Sequence, residues 1–144
     1  MRVYLAGPMN GIPEYNVPLF HKVEAKLLAL GWDVLSPARD YENYQHEGSD
    51  PETSIDTPQA HMAYLRRDIL MLLDVEGIVL LPGWDQSSGA NIELVVARAF
   101  GLSVWDWDED RKIPVISWAI PNRTRLELVM VSRAEATMHA EFPH

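Results

Sequence analysis

The sequence predicts an α/β fold, a small doubly wound parallel sheet in a single domain. Two observations carry that expectation. Ile78-Val79-Leu80-Leu81 is a continuous apolar run, bounded by Gly77 on one side and Pro82-Gly83 on the other. Such a run reads as a strand covered on both faces, which is how parallel sheets bury their strands. The N-terminal third also has a strand–helix–strand order, and parallel strands joined this way take a right-handed crossover. At 144 residues the chain is long enough for a substantial core.

Arg2–Ala6 is the first expected strand, followed by the glycine- and proline-punctuated loop Gly7-Pro8-Met9-Asn10-Gly11-Ile12-Pro13. A helix should run from Asn16 as cap, with Pro18 in its first turn, to Leu30, where Gly31 stops it. Phe20, Val23, Leu27 and Leu30 have its buried spacing. Trp32–Leu35 is the second strand, closed by Ser36-Pro37.

Residues 39–57 are polar and show neither helical nor alternating pattern. A loop of that length in a compact domain is a lid, an insertion or a disordered segment. Tyr41 and Tyr44 would either cover a bound base or sit on a solvated flap. His46 and the acids around it match no metal-ligand spacing.

Pro58–Asp74 reads as a helix capped by Thr57, with Leu65, Ile69, Leu72 and Leu73 as its apolar stripe. Asp68 and His61 fall on the buried side or its edge, and Arg66 and Arg67 elsewhere. His61 suits a packing or hydrogen-bonding role. Asp68 is either half of a structural ion pair or a functional acid facing a polar cavity.

After the run at 78–81, the loop Trp84-Asp85-Gln86-Ser87-Ser88-Gly89 leads into another helix. Its expected core stripe is Ile92, Val95, Val96 and Ala99, with Glu93 half-buried on the flank beside Ala97 and Phe100. Glu93 does not fit a capping box begun at Ser88, since that position is Asn91. It either complements the helix dipole or does chemistry. Ser103–Trp107 is a further strand ending in the acidic run Asp106–Asp110. Lys112–Trp118 suits another strand, and Asn122–Ala140 a last helix with Leu126, Val129, Met130 and Arg133 at helical spacing.

Lysine and arginine number 12 against 21 acids, a net charge of −9 that argues against wrapping a nucleic-acid polymer. One nucleotide held by a few local donors is compatible with it. There is no cysteine, hence no disulfide framework or thiol nucleophile. No segment approaches the roughly 18 uninterrupted apolar residues of a membrane span. The expectation is an intracellular protein with a small-molecule partner, no membrane, no metal and no organic cofactor.

The loops after the first and third strands should form one crevice at the carboxyl end of the sheet, where open α/β sheets bind ligands and helix N-termini favour anions. It would hold Tyr4, the Gly7–Gly11 turn, Asp68, Ser87-Ser88-Gly89 and Glu93. Two carboxylates there suit cleavage at a sugar's anomeric carbon, one attacking or stabilising positive charge, the other handling the leaving group's proton.

Tyr4-Leu5-Ala6-Gly7-Pro8-Met9, Asp68, and Ser87 through Glu93 followed by Ala97 and Gly101-Leu102 resemble the nucleoside 2-deoxyribosyltransferase superfamily. That superfamily includes the 2'-deoxynucleoside 5'-phosphate N-hydrolases. The resemblance covers roughly residues 1–107 and is strongest to a phage- and prophage-borne branch. It implies a flavodoxin-like fold, a homodimer or higher oligomer, and a glutamate nucleophile that forms a covalent deoxyribosyl intermediate. Glu93 matches that nucleophile, Asp68 the acid handling the base's proton, and Tyr4 the tyrosine that orients the nucleophile.

Ser87 and Gly89, with Ser88 between them, match the loop that holds a 5'-phosphate in the hydrolases. Gly7, Pro8 and Met9 would form the opposite wall, and Trp84 is a candidate for stacking on base or sugar. Pro8-Met9-Asn10 departs from the hydrolases, whose first loop carries serine and arginine phosphate ligands. The stretch after Trp107 lies outside the resemblance. The implied function is cleavage or transfer at the N-glycosidic bond of 2'-deoxynucleosides or their monophosphates. The alternative is a non-catalytic nucleotide-binding protein using the same crevice.

Overall fold

The computed structural model describes residues 1–39 and 58–127. Five strands form one sheet: β1 (Arg2–Ala6), β2 (Asp33–Leu35), β3 (Gly77–Leu80), β4 (Ser103–Asp108) and β5 (Ile113–Ile116). Helices α1 (Val17–Ala29), α2 (Pro58–Met71) and α3 (Ser88–Ala99) connect and cover them. The spatial order is β2-β1-β3-β4-β5, the order of flavodoxin-like doubly wound sheets. The first four strands pair in parallel, while β5 returns antiparallel to β4.

Alternation along the strands divides the core. Val3, Leu5, Val79 and Leu81 face α1, whose Phe20, Val23 and Leu27 are completely buried against them. Tyr4, Ala6, Ile78 and Leu80 face the other way, onto Leu72, Leu94 and Ala97. From Val3 onward β1, like β3, is covered on both sides, which is why those residues carry no charge.

Several local expectations change. Leu30 is 53% exposed, because α1 ends at Ala29 and its cap residue turns toward solvent. Leu73 is 63% exposed. There α2 gives way to a tighter turn over Leu72–Asp74, which shifts the phase so that Leu72 alone enters the core. Asn16 precedes α1 but makes no capping bond. It is left-handed, and its side-chain Nδ2 donates to Pro8 O at 2.9 Å.

The apolar stripe of α3 lies on the opposite side from the one expected. Ala90, Leu94 and Ala97 are buried, together with Asn91 and Glu93, while Val95 is 40% exposed. Hydrophobicity is split between two sides of this helix, and the sheet takes the side whose alanines allow closer approach. The strand expected over Lys112–Trp118 is Ile113–Ile116, and it pairs antiparallel with β4 at the edge of an otherwise parallel sheet. Residues 123–127 are helical. The rest of the expected last helix, residues 40–57 with Tyr41, Tyr44 and His46, and the His61 side chain lie outside the described residues. Among the described residues, no helix is long and apolar enough to cross a membrane.

Candidate active site

The strand order reverses between β1 and β3, so the loops leaving their carboxyl ends diverge and open a crevice. Tyr4 lies on β1 between Leu35 of β2 and Ile78 of β3 and is 0% exposed. Alternation aims it at α3, where Glu93, 5% exposed, sits in the second turn. The Tyr4 hydroxyl donates to Glu93 Oε2. Asp68, half-buried on α2, is near enough to both that its charge raises the proton affinity of Tyr4 and of Glu93. Residues 4, 68 and 93 thus meet at one point.

Electrostatics follow from that convergence. Burial pushes the Glu93 carboxyl well above the usual carboxylate range; the Asp68 charge pushes the same way, and the Tyr4 hydrogen bond pulls back. Burial likewise raises the Tyr4 phenol, with Glu93 and then Asp68 adding to it. Tyr4 therefore stays protonated and remains a donor. Two carboxylates this close in a desolvated place hold one proton between them far more readily than none.

Glu93 forms part of the wall of a cleft of about 380 Å³. Pro8, Met9 and Asn10 form one side, Tyr64 and Leu65 of α2 another, and Gln86 through Ala90 a third. The Ser87 Oγ caps α3 by accepting from Ala90 N at 3.1 Å, in place of the Ser88 position weighed from the sequence. Gly83, at φ 84°, turns the chain out of β3, and a Cβ there would come within 3.2 Å of Pro8 Cγ. The two loops therefore pack against each other beneath the cleft.

Of the expected binding residues, Gly7, Pro8, Met9, Ser87, Ser88 and Gly89 line the cleft. Trp84 does not. It is partly buried and packs against the core cluster on the α3 side of the sheet. Of the three residues that converge, Glu93 lines the cleft, and Tyr4 and Asp68 stand next to it.

Sequence reasoning missed Asn91, which is 0% exposed. Its Nδ2 donates to Ser87 O at 2.8 Å and Asp85 O at 3.1 Å, holding the cleft loop onto the helix it precedes. Its Oδ1 accepts from Asn122 N at 2.7 Å. A polar residue three positions before Leu94 was the available signal, hidden because the stripe was assigned to the wrong side. Gln86 and Tyr64 were also missed as lining residues, as was the contact of the 122–125 segment with this loop.

Among the described residues no group of three or more His, Cys, Asp or Glu is arranged to hold a metal ion. What the arrangement supplies is a carboxylate with a fixed donor, a second carboxylate beside it, and a cleft against the start of a helix.

A family model described as a domain of unknown function, DUF4406, matches residues 1–106. Among solved structures the chain is similar to a 2-deoxyribosyltransferase from the psychrotolerant bacterium Bacillus psychrosaccharolyticus. The identity is 21% over 72% of this chain and 69% of that one, with a TM-score of 0.49. No curated protein matches.

Proposed function

The chain belongs to the family of domains of unknown function DUF4406, and from that premise and the geometry of its cleft we propose that it cleaves or transfers the N-glycosidic bond of 2'-deoxynucleosides. The carboxylate of Glu93 attacks C1', and the C1'–N bond breaks with its electron pair leaving on the base. Asp68 supplies the proton that neutralises the departing base. The resulting glycosyl ester is attacked at C1' by water or by a second base, whose proton passes back to Asp68, and Glu93 is released. Tyr4 holds the ionised form of Glu93 in line. The single observation that carries the proposal is the meeting of Tyr4 and Asp68 at Glu93, which itself lines the cleft. The sequence resemblance at the same residues supports it independently.

Nucleosides are favoured over their 5'-monophosphates. No Lys, Arg or His is among the described residues lining the cleft, and of the first α3 amides Ala90 N and Asn91 N are already bonded to Ser87. A dianionic phosphate would face two carboxylates with only part of a helix end to offset them.

The test is incubation with each deoxynucleoside and a second free base, followed by chromatography. Products of exchange mark a transferase, and free base alone marks a hydrolase. Glu93→Ala should lower turnover by about 10⁴-fold or more, as expected for loss of a covalent nucleophile, while retaining the fold. Full activity in that variant sinks the assignment. A ligand-induced rise in melting temperature with no product would point instead to a binding protein.

A further inference from the structure

Gln86 stands at the rim of the cleft, exposed and contributing to its lining. Its side-chain oxygen lies 2.8 Å from Arg125 Nη2. A guanidinium has donors only, so the atom facing it has to be the amide oxygen and the amide cannot turn over without losing the contact. The NH₂ group is thereby directed the other way. One of its hydrogens reaches Asp85 Oδ2 at 3.2 Å; the other has no protein acceptor among the described residues. We propose that Gln86 is a specificity residue of the cleft, presenting this N–H to a hydrogen-bond acceptor on the ligand, with Arg125 as the positioning residue that sets its orientation.

The support beneath Arg125 is what separates this contact from an ordinary surface pair. Asn122 is tied twice, its N–H to Asn91 Oδ1 at 2.7 Å and its Nδ2 to Asp85 O at 2.9 Å. Arg125 N donates to Asn122 O at 3.1 Å, fixing the turn on which the guanidinium rides. Gln86 N in turn donates to Gly83 O at 3.1 Å, so the backbone under the glutamine is held as well. Asn91, buried and bonded to both segments, joins the two halves to the helix that carries Glu93. The segment after β5 is thus tied to the loop that walls the cleft.

The chemistry selected is an acceptor: a carbonyl oxygen or ring nitrogen of a base, or the 5'-oxygen of the sugar. The choice of deoxynucleosides as probes rests on the proposed function, but the readout is binding and needs no turnover. In the Glu93→Gln background, which leaves the ligand intact, calorimetry with thymidine and 2'-deoxyguanosine gives Kd before and after a second change. Gln86→Glu keeps an acceptor toward Arg125, now as an ion pair, and removes both N–H donors. It should raise Kd roughly three- to tenfold, the effect of one lost hydrogen bond, while the new carboxylate gains an ion pair with Arg125 and loses the bond to Asp85. Arg125→Ala frees the amide to turn and should raise Kd by a smaller factor.

Repeating the measurement with 2',5'-dideoxynucleosides locates the acceptor. If the Gln86→Glu penalty disappears, the 5'-oxygen is the partner; if it persists, the base is. Unchanged Kd in Gln86→Glu with both ligand sets overturns the proposal, whether or not the enzyme proves catalytic. Failure of any deoxynucleoside to bind overturns it together with the substrate reading. A Kd penalty in a protein that turns nothing over supports Gln86 and rejects only the catalytic role of Glu93.

Discussion

Glu93 is a carboxyl group taken almost entirely out of water and set beside another acid. Both circumstances favour its neutral form, so folding raises its proton affinity above that of the unfolded chain. The folded state then binds more protons than the unfolded one between the two pKa values, and stability falls as pH rises through that window. Glu93 contributes its full stability below the ordinary glutamate range and loses it as pH passes the raised value. Glu93→Gln, which keeps shape and cannot ionise, removes this dependence. Its melting temperature should match the parent near pH 4 and exceed it by a few degrees at pH 8, since about 1 kcal/mol moves Tm by roughly 2–4 °C in a chain of this size. Equal melting temperatures at both pH values would mean that the carboxylate is not strained in its pocket. The same residue was visible in the sequence as an acid near a helix start. Its depth was not, because pattern alone put it on the flank.

Helix α3 shows what an element inherits from its neighbours. Its start is local: Ser87, extended at φ −97° and ψ 118°, accepts from Ala90 N and closes the first turn. Ser87→Ala should therefore cost about 1 kcal/mol, the usual value of an N-cap side chain, and thermal melting reads that loss directly. No change in Tm would indicate that Asn91 alone holds the turn. Its burial is not local. Leu94 with two alanines forms one candidate face and Ile92 with Val95 the other, and amphipathic periodicity does not choose between them. A similar limit applies to α2, whose period was correct until the tighter turn at Leu72–Asp74 shifted the phase and exposed Leu73.

At the scale of the whole molecule, β3 is the central strand of the sheet. Gly77 opens β3 between Val3 of β1 and Ser103 of β4. A Cβ at Gly77 would lie 2.5 Å from Ser103 Oγ and 3.1 Å from its carbonyl oxygen. The hydroxyl has little room to yield, because it accepts from Trp105 Nε1 at 3.0 Å and donates to Glu76 O at 3.2 Å. Gly77→Ala should destabilise by about 1–3 kcal/mol through overpacking, measured as a lower denaturation midpoint with unchanged slope. A neutral outcome would show that β3 and β4 can part at this end without disturbing the rest. The cleft lies at the other end of the same strands, so ligand affinity per folded molecule should stay the same.

The order of strands and helices, the parallel character of the first four strands and the position of the crevice were all written locally, in apolar runs stopped by glycine and proline. Asp68 and Glu93 each carry a pattern-level signal, as acids at helix positions that are not fully solvated, whereas the role expected of Tyr4 came from the family resemblance. Three features were decided only by packing in three dimensions. One is which side of α3 faces the sheet, and with it the burial of Glu93 and Asn91. Another is the removal of Trp84 from the cleft, and the last is the attachment of Asn122 and Arg125 to the cleft wall. The physical reason is common to all three. Periodicity reports that a side chain has a face to bury, but the partner that buries it is separated along the chain by tens of residues, and only the folded arrangement brings that partner to it.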